Sequence, residues 1–407
     1  MAGPLGVVLG MTFDVGRNRY FPTPPDLHLN KFDDGILMPT SCGGGRGKEK
    51  GIKLASHDET DGQPSRRRLR RGRTVLGNSA RTKRRSEETK AHFSSLGYQA
   101  TYWCYGGRIT SLRNYTGGAY LATTAHGDVF VYHGQGEPRG ISLCASELVG
   151  MHVDIARMIM IAIANGPEAH LHCFRRDPDL LDHLFLQQSD LDLPQSDVFC
   201  MSSGDGVCSL GGIKSLTSLY YIDRLHTSKR DLPSDALALH HSSPDLVFAG
   251  LRSSSVLLED LRAQSRIPNV VASTAEGRAV IGVKRLKDSA VPWGLVVSAM
   301  DDQLLLFDVR FGKSPLIRFK DHRNNFQSSL GLTTSSDDEI VVAAGSDCRI
   351  RAWSTVTGDR IVTGDEDQRA DDPLSVVFPH IVQAIEGRED FGLDVAVDAE
   401  IRRYAFR

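Results

Sequence analysis

A pattern of about 45 residues recurs seven times between residues 95 and 407. Three copies are clear. Ala249-Gly250 leads through a polar turn into Val256-Leu257-Leu258-Glu259-Asp260-Leu261-Arg262. Ser298-Ala299 leads through Asp301-Asp302 into Leu304-Leu305-Leu306-Phe307-Asp308-Val309-Arg310. Gly345-Ser346-Asp347 leads into Arg349-Ile350-Arg351-Ala352-Trp353-Ser354. Each copy is an apolar strand ending in small residues, a tight turn, then an alternating strand that ends near an aromatic position. Weaker copies are Ala125-His126-Gly127-Asp128 into Val129–Tyr132, His170–Phe174, Ser218–Tyr221 and Glu400–Tyr404. Aligned positions are Tyr132, Phe174, Tyr221, Glu259, Phe307, Trp353 and Tyr404, spaced by 38 to 51 residues.

A small β-sheet of this length cannot bury both of its faces alone, but stacked neighbours bury them for each other. The period matches the ~40–45 residues of a four-stranded WD40 blade, and seven copies predict an all-β, seven-bladed WD40 β-propeller over 95–407. The last copy stops almost on its final strand, so a strand near Tyr98–Tyr105 is expected to complete the closing blade. Asp154–Ile163 reads as a helix or a buried strand, Leu180–Gln187 as a short loop helix, and Asp177–Asp197 and Ser202–Gly212 as irregular insertions.

Two zones precede the repeats. Residues 1–40 mix Pro and Gly around Arg19-Tyr20-Phe21-Pro22. Residues 41–93 hold almost no large apolar side chains, and Ser41–Lys90 carries 15 basic against 6 acidic residues although the whole chain is −2. Such a stretch buries too little to offset chain entropy and is expected to be a disordered basic linker. Its cationic run, Arg66, Arg67, Arg68, Arg70, Arg71 and Arg73, followed by Lys83, Arg84 and Arg85, fits a nuclear import signal, a nucleic-acid tether or a solvated linker. No aromatic side chain is interleaved, which disfavours stacking on single strands. A nuclear location follows from the import reading, with a cytoplasmic pool compatible.

Chemistry is sparse. The seven Cys are scattered, odd in number and without a CxxC, which suits a reducing compartment. Met1–Met11 lacks a basic n-region, so no secretory signal is expected, and no apolar run reaches membrane-span length. Gly312-Lys313-Ser314 resembles the end of a P-loop but has Phe307 where the first Gly belongs. His170, His172 and Cys173 lack a fourth zinc ligand at usual spacing. His240-His241 and Asp321-His322 are read as structural, and Asp301-Asp302 and Asp337-Asp338 as hydrated turn carboxylates. No catalytic set, metal site or cofactor is expected, and the chain is read as a non-enzyme.

Three stretches resemble the WD-repeat substrate receptors of cullin-4 ubiquitin ligases, in particular the group of DDB- and cullin-4-associated factor four. They are Gly10-x-x-x-Asp14-x-x-x-x-Arg19-Tyr20-Phe21, Phe248-Ala249-Gly250-x-Arg252-Ser253 through Asp260-Leu261-Arg262, and Val342–Cys348 through Arg351-x-Trp353-Ser354. The resemblance implies a receptor that docks on the ligase adaptor, damaged-DNA-binding protein one, through adjacent blades ending in Asp-x-Arg. It assigns that contact to Asp260, Arg262, Phe307, Asp308 and Arg310, with Phe307 standing for the usual Trp and Glu259 departing from it. It further implies an unidentified substrate protein and a monomer within the complex. The alternative is a generic nuclear WD40 scaffold whose basic arm contacts nucleic acid.

Overall fold

The computed structural model describes residues 11–14, 19–22 and 84–406. Within the last span residues 86, 115–119, 133–138, 155–156, 158, 166–169, 176–186, 193–196, 223–225, 264–266, 290, 313 and 363–370 are excepted. The chain divides into Met1–Arg81 and Thr82–Arg407. In the first unit β1 (Met11–Asp14) and β2 (Arg19–Pro22) pair antiparallel, with Phe13 opposite Tyr20.

The second unit contains seven four-stranded antiparallel sheets. Blade 1 is β4 (Ile109–Asn114), β5 (Tyr120–Thr124), β6 (Asp128–Tyr132) and β7 (Arg139–Ser142). Blade 2 is β8 (Leu148–Asp154), β9 (Ile159–Ala164), β10 (His170–Arg175) and β11 (Gln187–Asp192). Blade 3 is β12 (Val198–Gly204), β13 (Val207–Gly212), β14 (Ser215–Tyr220) and β15 (His226–Asp231). Blade 4 is β16 (Ala236–Ser243), β17 (Leu246–Leu251), β18 (Ser255–Asp260) and β19 (Val270–Ser273). Blade 5 is β20 (Val280–Arg285), β21 (Gly294–Ala299), β22 (Gln303–Asp308) and β23 (Ile317–Arg318). Blade 6 is β24 (Leu332–Thr334), β25 (Ile340–Ala344), β26 (Ile350–Ser354) and β27 (Arg360–Ile361). Blade 7 joins β28 (Val382–Gly387), β29 (Leu393–Val397) and β30 (Glu400–Phe406) to β3 (Leu96–Trp103), which pairs along β30 from Leu96↔Phe406 to Trp103↔Glu400. The expected closing strand is therefore present, two residues earlier than placed.

The second strand of each blade lies between two covered faces. Ile159–Ala164, Leu246–Leu251 and Gly294–Ala299 are buried at every position, which is why they read as unbroken apolar runs rather than alternating ones. This settles Asp154–Ile163: its apolar part opens strand β9. Cores form between neighbouring blades. Leu286, Val296, Leu304, Leu306 and Phe319 of blade 5 meet Val341, Ala343 and Trp353 of blade 6, and the Trp353 indole donates to Lys320 O at 2.8 Å.

Three expectations need correction. Ser202–Gly212 is not an insertion but the hairpin β12–β13, turned at Asp205-Gly206, where Gly206 takes φ 74°. Gln187, expected at the end of a loop helix, opens β11, which also gives Asp177–Asp197 a strand; residues 180–186 lie outside the described part. The third lies upstream of β3, where residues 84, 85 and 87–94 are helical instead of disordered. Phe93 on that helix is fully buried with Leu96, Leu374, Phe378 and Tyr404, and the Thr89 hydroxyl donates to Asp337 Oδ2 at 2.7 Å. One large aromatic and one buried hydroxyl suffice to fix a short helix that composition alone marks as polar.

Candidate docking face

In an antiparallel blade, the end of the first strand, the start of the second and the end of the third share one edge. In blade 4 that edge holds Ser243, Leu246 and Asp260, with Leu246 opposite Asp260. In blade 5 Gly294 lies opposite Asp308. Asp260 and Asp308 are thus equivalent and face the same side of the ring. The register also corrects one aligned position. Tyr220 pairs with Val207 where Asp260 pairs with Leu246, so Leu219, not Tyr221, is the partner of Glu259 and Phe307. Across the seven third strands, Asp followed two residues later by Arg occurs at this position in blades 4 and 5 alone.

Both pairs form the same clamp. Asp308 Oδ1 accepts from the Arg310 backbone N–H at 2.9 Å and from Arg310 Nε at 2.9 Å, and Asp308 Oδ2 accepts from Arg310 Nη2 at 2.6 Å. Asp260 Oδ1 accepts from the Arg262 backbone N–H and Nε, and Oδ2 from Nη2, all at 3.0 Å. The carboxylate closes the turn through the main chain and fixes the guanidinium as a forked donor. Burial pushes the Asp260 carboxyl up, but the hydrogen bonds and charge of Arg262 outweigh it and hold it below the usual range.

The surroundings differ. Arg262 is 62 % exposed and also faces Asp245 at 3.7 Å. Arg310 is 22 % exposed, and its guanidinium lies 5.4 Å from the Trp293 ring and 5.5 Å from Phe311. Asp245 and Trp293 are equivalent, since Leu261 N–H donates to Asp245 O as Val309 N–H donates to Trp293 O. One Arg is therefore caged by two carboxylates and the other held by one carboxylate between two aromatic rings. Behind Trp293, buried Arg285 donates to Gly294 O at 2.9 Å and Pro292 O at 2.5 Å, fixing that loop. Burial lowers the Arg285 guanidinium to about 10. Sequence reading missed Trp293, Phe311 and Arg285; Phe311 follows Arg310 directly, whereas Trp293 flanks the Asp-x-Arg element only once the second and third strands pair.

Phe307, expected at the contact, is fully buried, so it holds the strand and offers no surface. The Glu259 departure also has a cause. Arg230 on the outer strand of blade 3 lies 3.8 Å from Glu259 and donates to Asp260 O at 2.9 Å and to Leu261 O. A carboxylate replaces the aromatic because it faces a cation from the next blade. Burial still raises the Glu259 carboxyl, with Arg230 offsetting part of the rise.

Of the import residues, Arg84 pairs with Glu88 at 2.8 Å and Arg85 lies 3.5 Å from Asp337, both on the 84–94 helix. Arg66, Arg67, Arg68, Arg70, Arg71, Arg73 and Lys83 lie outside the described residues. A Cβ at Gly312 would fall 1.5 Å from Val271 O, so the backbone there is pressed on blade 4 and leaves no phosphate cradle. Among the described residues no three metal-ligating side chains converge. Asp301 and Asp302 sit in a positive-φ turn as expected. Asp337 and Asp338 are buried instead of hydrated: Asp338 accepts from Lys287 N–H at 2.7 Å and Thr334 Oγ1 at 2.6 Å. His241 bonds Ser209 Oγ at 3.0 Å, and His322 stands edge-on to Trp353, both structural roles. Among the described residues no helix is long and apolar enough to cross a membrane.

No family model matches the chain. Two relatives align locally. An uncharacterised WD repeat-containing protein of Caenorhabditis elegans is 27 % identical over 151 residues, 36 % of this chain and 27 % of the relative. WD repeat-containing protein 21 of Schizosaccharomyces pombe is 27 % identical over 159 residues, 38 % of this chain and 36 % of the relative. The chain thus spans about a third or less of these relatives' lengths. The WD40 β-propeller domain of Doa1 superposes with a TM-score of 0.60 over 77 % of this chain and 98 % of that domain, at 12 % identity. The two local matches are to WD repeat proteins and the superposition is with a WD40 β-propeller, which agrees with the seven-bladed β-propeller fold described above.

Proposed function

We propose that this chain is a nuclear substrate receptor that docks on damaged-DNA-binding protein one, the adaptor of cullin-4 ubiquitin ligases, through the Asp260–Arg262 and Asp308–Arg310 clamps. WD40 propellers generally serve as non-enzymatic interaction modules, and the face described above is read here as a contact surface. The observation that carries the reading is the same Asp–Arg clamp at one register position of two consecutive blades and of no other. Arg held as a rigid fork is a frequent interface hot spot. Two clamps one blade apart give a bidentate reading head that a single Asp-x-Arg turn does not. Ubiquitin transfer belongs to the partners, and this chain contributes position.

The test is affinity purification of the tagged chain with Arg262→Ala, Arg310→Ala and both, read as recovered adaptor and normalised to folded protein. Loss of the adaptor in the double variant, with its melting transition kept, supports the reading. Full recovery of the adaptor by a folded double variant removes it.

A further inference from the structure

The first strands of all seven blades line a central channel, a cavity of about 260 Å³. On the edge that carries the clamps it opens into a second cavity of about 240 Å³, walled by the ends of β4, β8, β12, β16 and β20. Arg113, His152, Ser202, His240 and Lys284 line this mouth, and no carboxylate is among its lining residues. Lys284 takes part in none of the ion pairs found among the described residues. Arg113, 48 % exposed, meets Glu386 only at 3.7 Å, too long for a tight hydrogen bond. His240 Nε2 is shielded from solvent and bonded to nothing. Burial, reinforced by the Lys284 charge, holds the His240 ring well below its ordinary value and so neutral.

Two cations converge beside an imidazole and hydroxyls at a mouth that supplies no carboxylate of its own, Glu386 lying on the channel wall beneath. Leaving such groups unmatched in a recess is costly, and a carboxylate supplies two acceptor oxygens and the opposite charge. The volume is below the roughly 300–1,000 Å³ of small-molecule pockets and suits one or two side chains of a segment presented from outside. Leu121, Met151 and Val153 give the recess an apolar floor. Phosphate recognition favours several forked Arg donors. Here the one Arg already leans toward Glu386 and the other cation is a Lys point charge.

We infer that the channel mouth on the clamp face is a binding site for an acidic segment of a partner protein, one carboxylate entering between Arg113, His240 and Lys284. The clamps stand on blades 4 and 5 at the ends of the third strands, whereas this site is on the axis, so it does not depend on the adaptor reading.

The experiment uses the full chain and a fluorescein-labelled, amidated peptide carrying six consecutive Glu, with its six-Gln counterpart as control. The Glu peptide binds and the Gln peptide does not. Lys284→Gln weakens binding about tenfold, the loss of one charge-assisted hydrogen bond, and Lys284→Glu weakens it further. Lys284→Arg retains binding, and so does the Arg262→Ala/Arg310→Ala double variant, which separates this site from adaptor docking. Circular dichroism confirms that each variant is folded. Equal binding of both peptides, unchanged affinity in folded Lys284→Gln and Lys284→Glu, or displacement of the Glu peptide by inorganic phosphate as readily as by unlabelled Glu peptide each overturn the assignment. The last outcome reassigns the mouth to phosphate.

Discussion

Replacing Arg310 by Ala does two things at once, and the geometry separates them. The side chain supplies three N–H···O contacts of 2.6–3.2 Å to Asp308, whose carboxylate is 9 % exposed. Removing it leaves that carboxylate buried with the Arg310 backbone N–H as its remaining donor of the clamp. An unmatched buried charge partner costs about 2–3 kcal/mol, which for a domain of this size lowers the melting midpoint by roughly 3–5 °C. Arg262→Ala is different. Its guanidinium is 62 % exposed and the Asp260 side chain 22 % exposed, so water replaces the lost donors and the midpoint stays within error. Differential scanning fluorimetry of both variants, with urea unfolding to convert midpoints to free energies, measures the asymmetry. Equal destabilisation by the two substitutions would refute the burial argument. The same asymmetry decides how pull-downs are read: adaptor loss in Arg262→Ala reports the interface alone, whereas Arg310→Ala must be corrected for its folded fraction.

Other predictions follow the same physics. Burial holds His152 and His322 down to about 4, against about 6.5 in the unfolded chain. Above pH ~6.5 both states are neutral there; as pH falls toward about 4 the unfolded chain takes up protons that the folded chain refuses, so stability drops by at most ~3 kcal/mol per ring. His322→Phe should flatten the urea midpoint between pH 6.5 and 4.5, and an unchanged slope contradicts the assignment. Arg230→Ala should cost about 1–3 kcal/mol by stripping donors from Asp260 O and Leu261 O and leaving Glu259 without its cation. A double-mutant cycle with Glu259→Gln should return a favourable coupling, and zero coupling removes the bridge between blades 3 and 4. Phe93→Ala should cost about 3–5 kcal/mol, since that ring is fully buried; a loss below 1 kcal/mol, on the scale of a surface substitution, means the 84–94 helix is not anchored by it.

The ring was readable because its signal is redundant. Val256–Asp260, Leu304–Asp308 and Ile350–Ser354 repeat one apolar pattern at nearly the same spacing, and covered sheets leave unbroken apolar second strands. What failed was local. Asp205-Gly206 is a strong two-residue hairpin signal, but polar Ser202, Ser203 and Ser209 around it mask the strands it joins, and Ser209 is buried only because Ser218 and His241 hydrogen-bond it. The two-residue slip at Tyr221 came from seeking an aromatic where blade 3 uses Leu219. The helix at 84–94 was hidden by its charge, since its anchors, Thr89 and Phe93, find partners far along the chain. At the docking face, Asp260, Arg262, Asp308 and Arg310 were legible as a motif. The Trp293–Arg310 and Arg230–Glu259 contacts were not, because the first is made between strands and the second between blades.

The pairing of β3 with β30 has a consequence for biosynthesis. The first strand of the ring to leave the ribosome finds its neighbour only when nearly every other blade has been made. Until then blade 7 cannot be completed, and the exposed flanks of the growing stack offer unsatisfied edges to other chains. Such a long-range latch favours slow, late cooperative folding and places a premium on chaperone protection during synthesis.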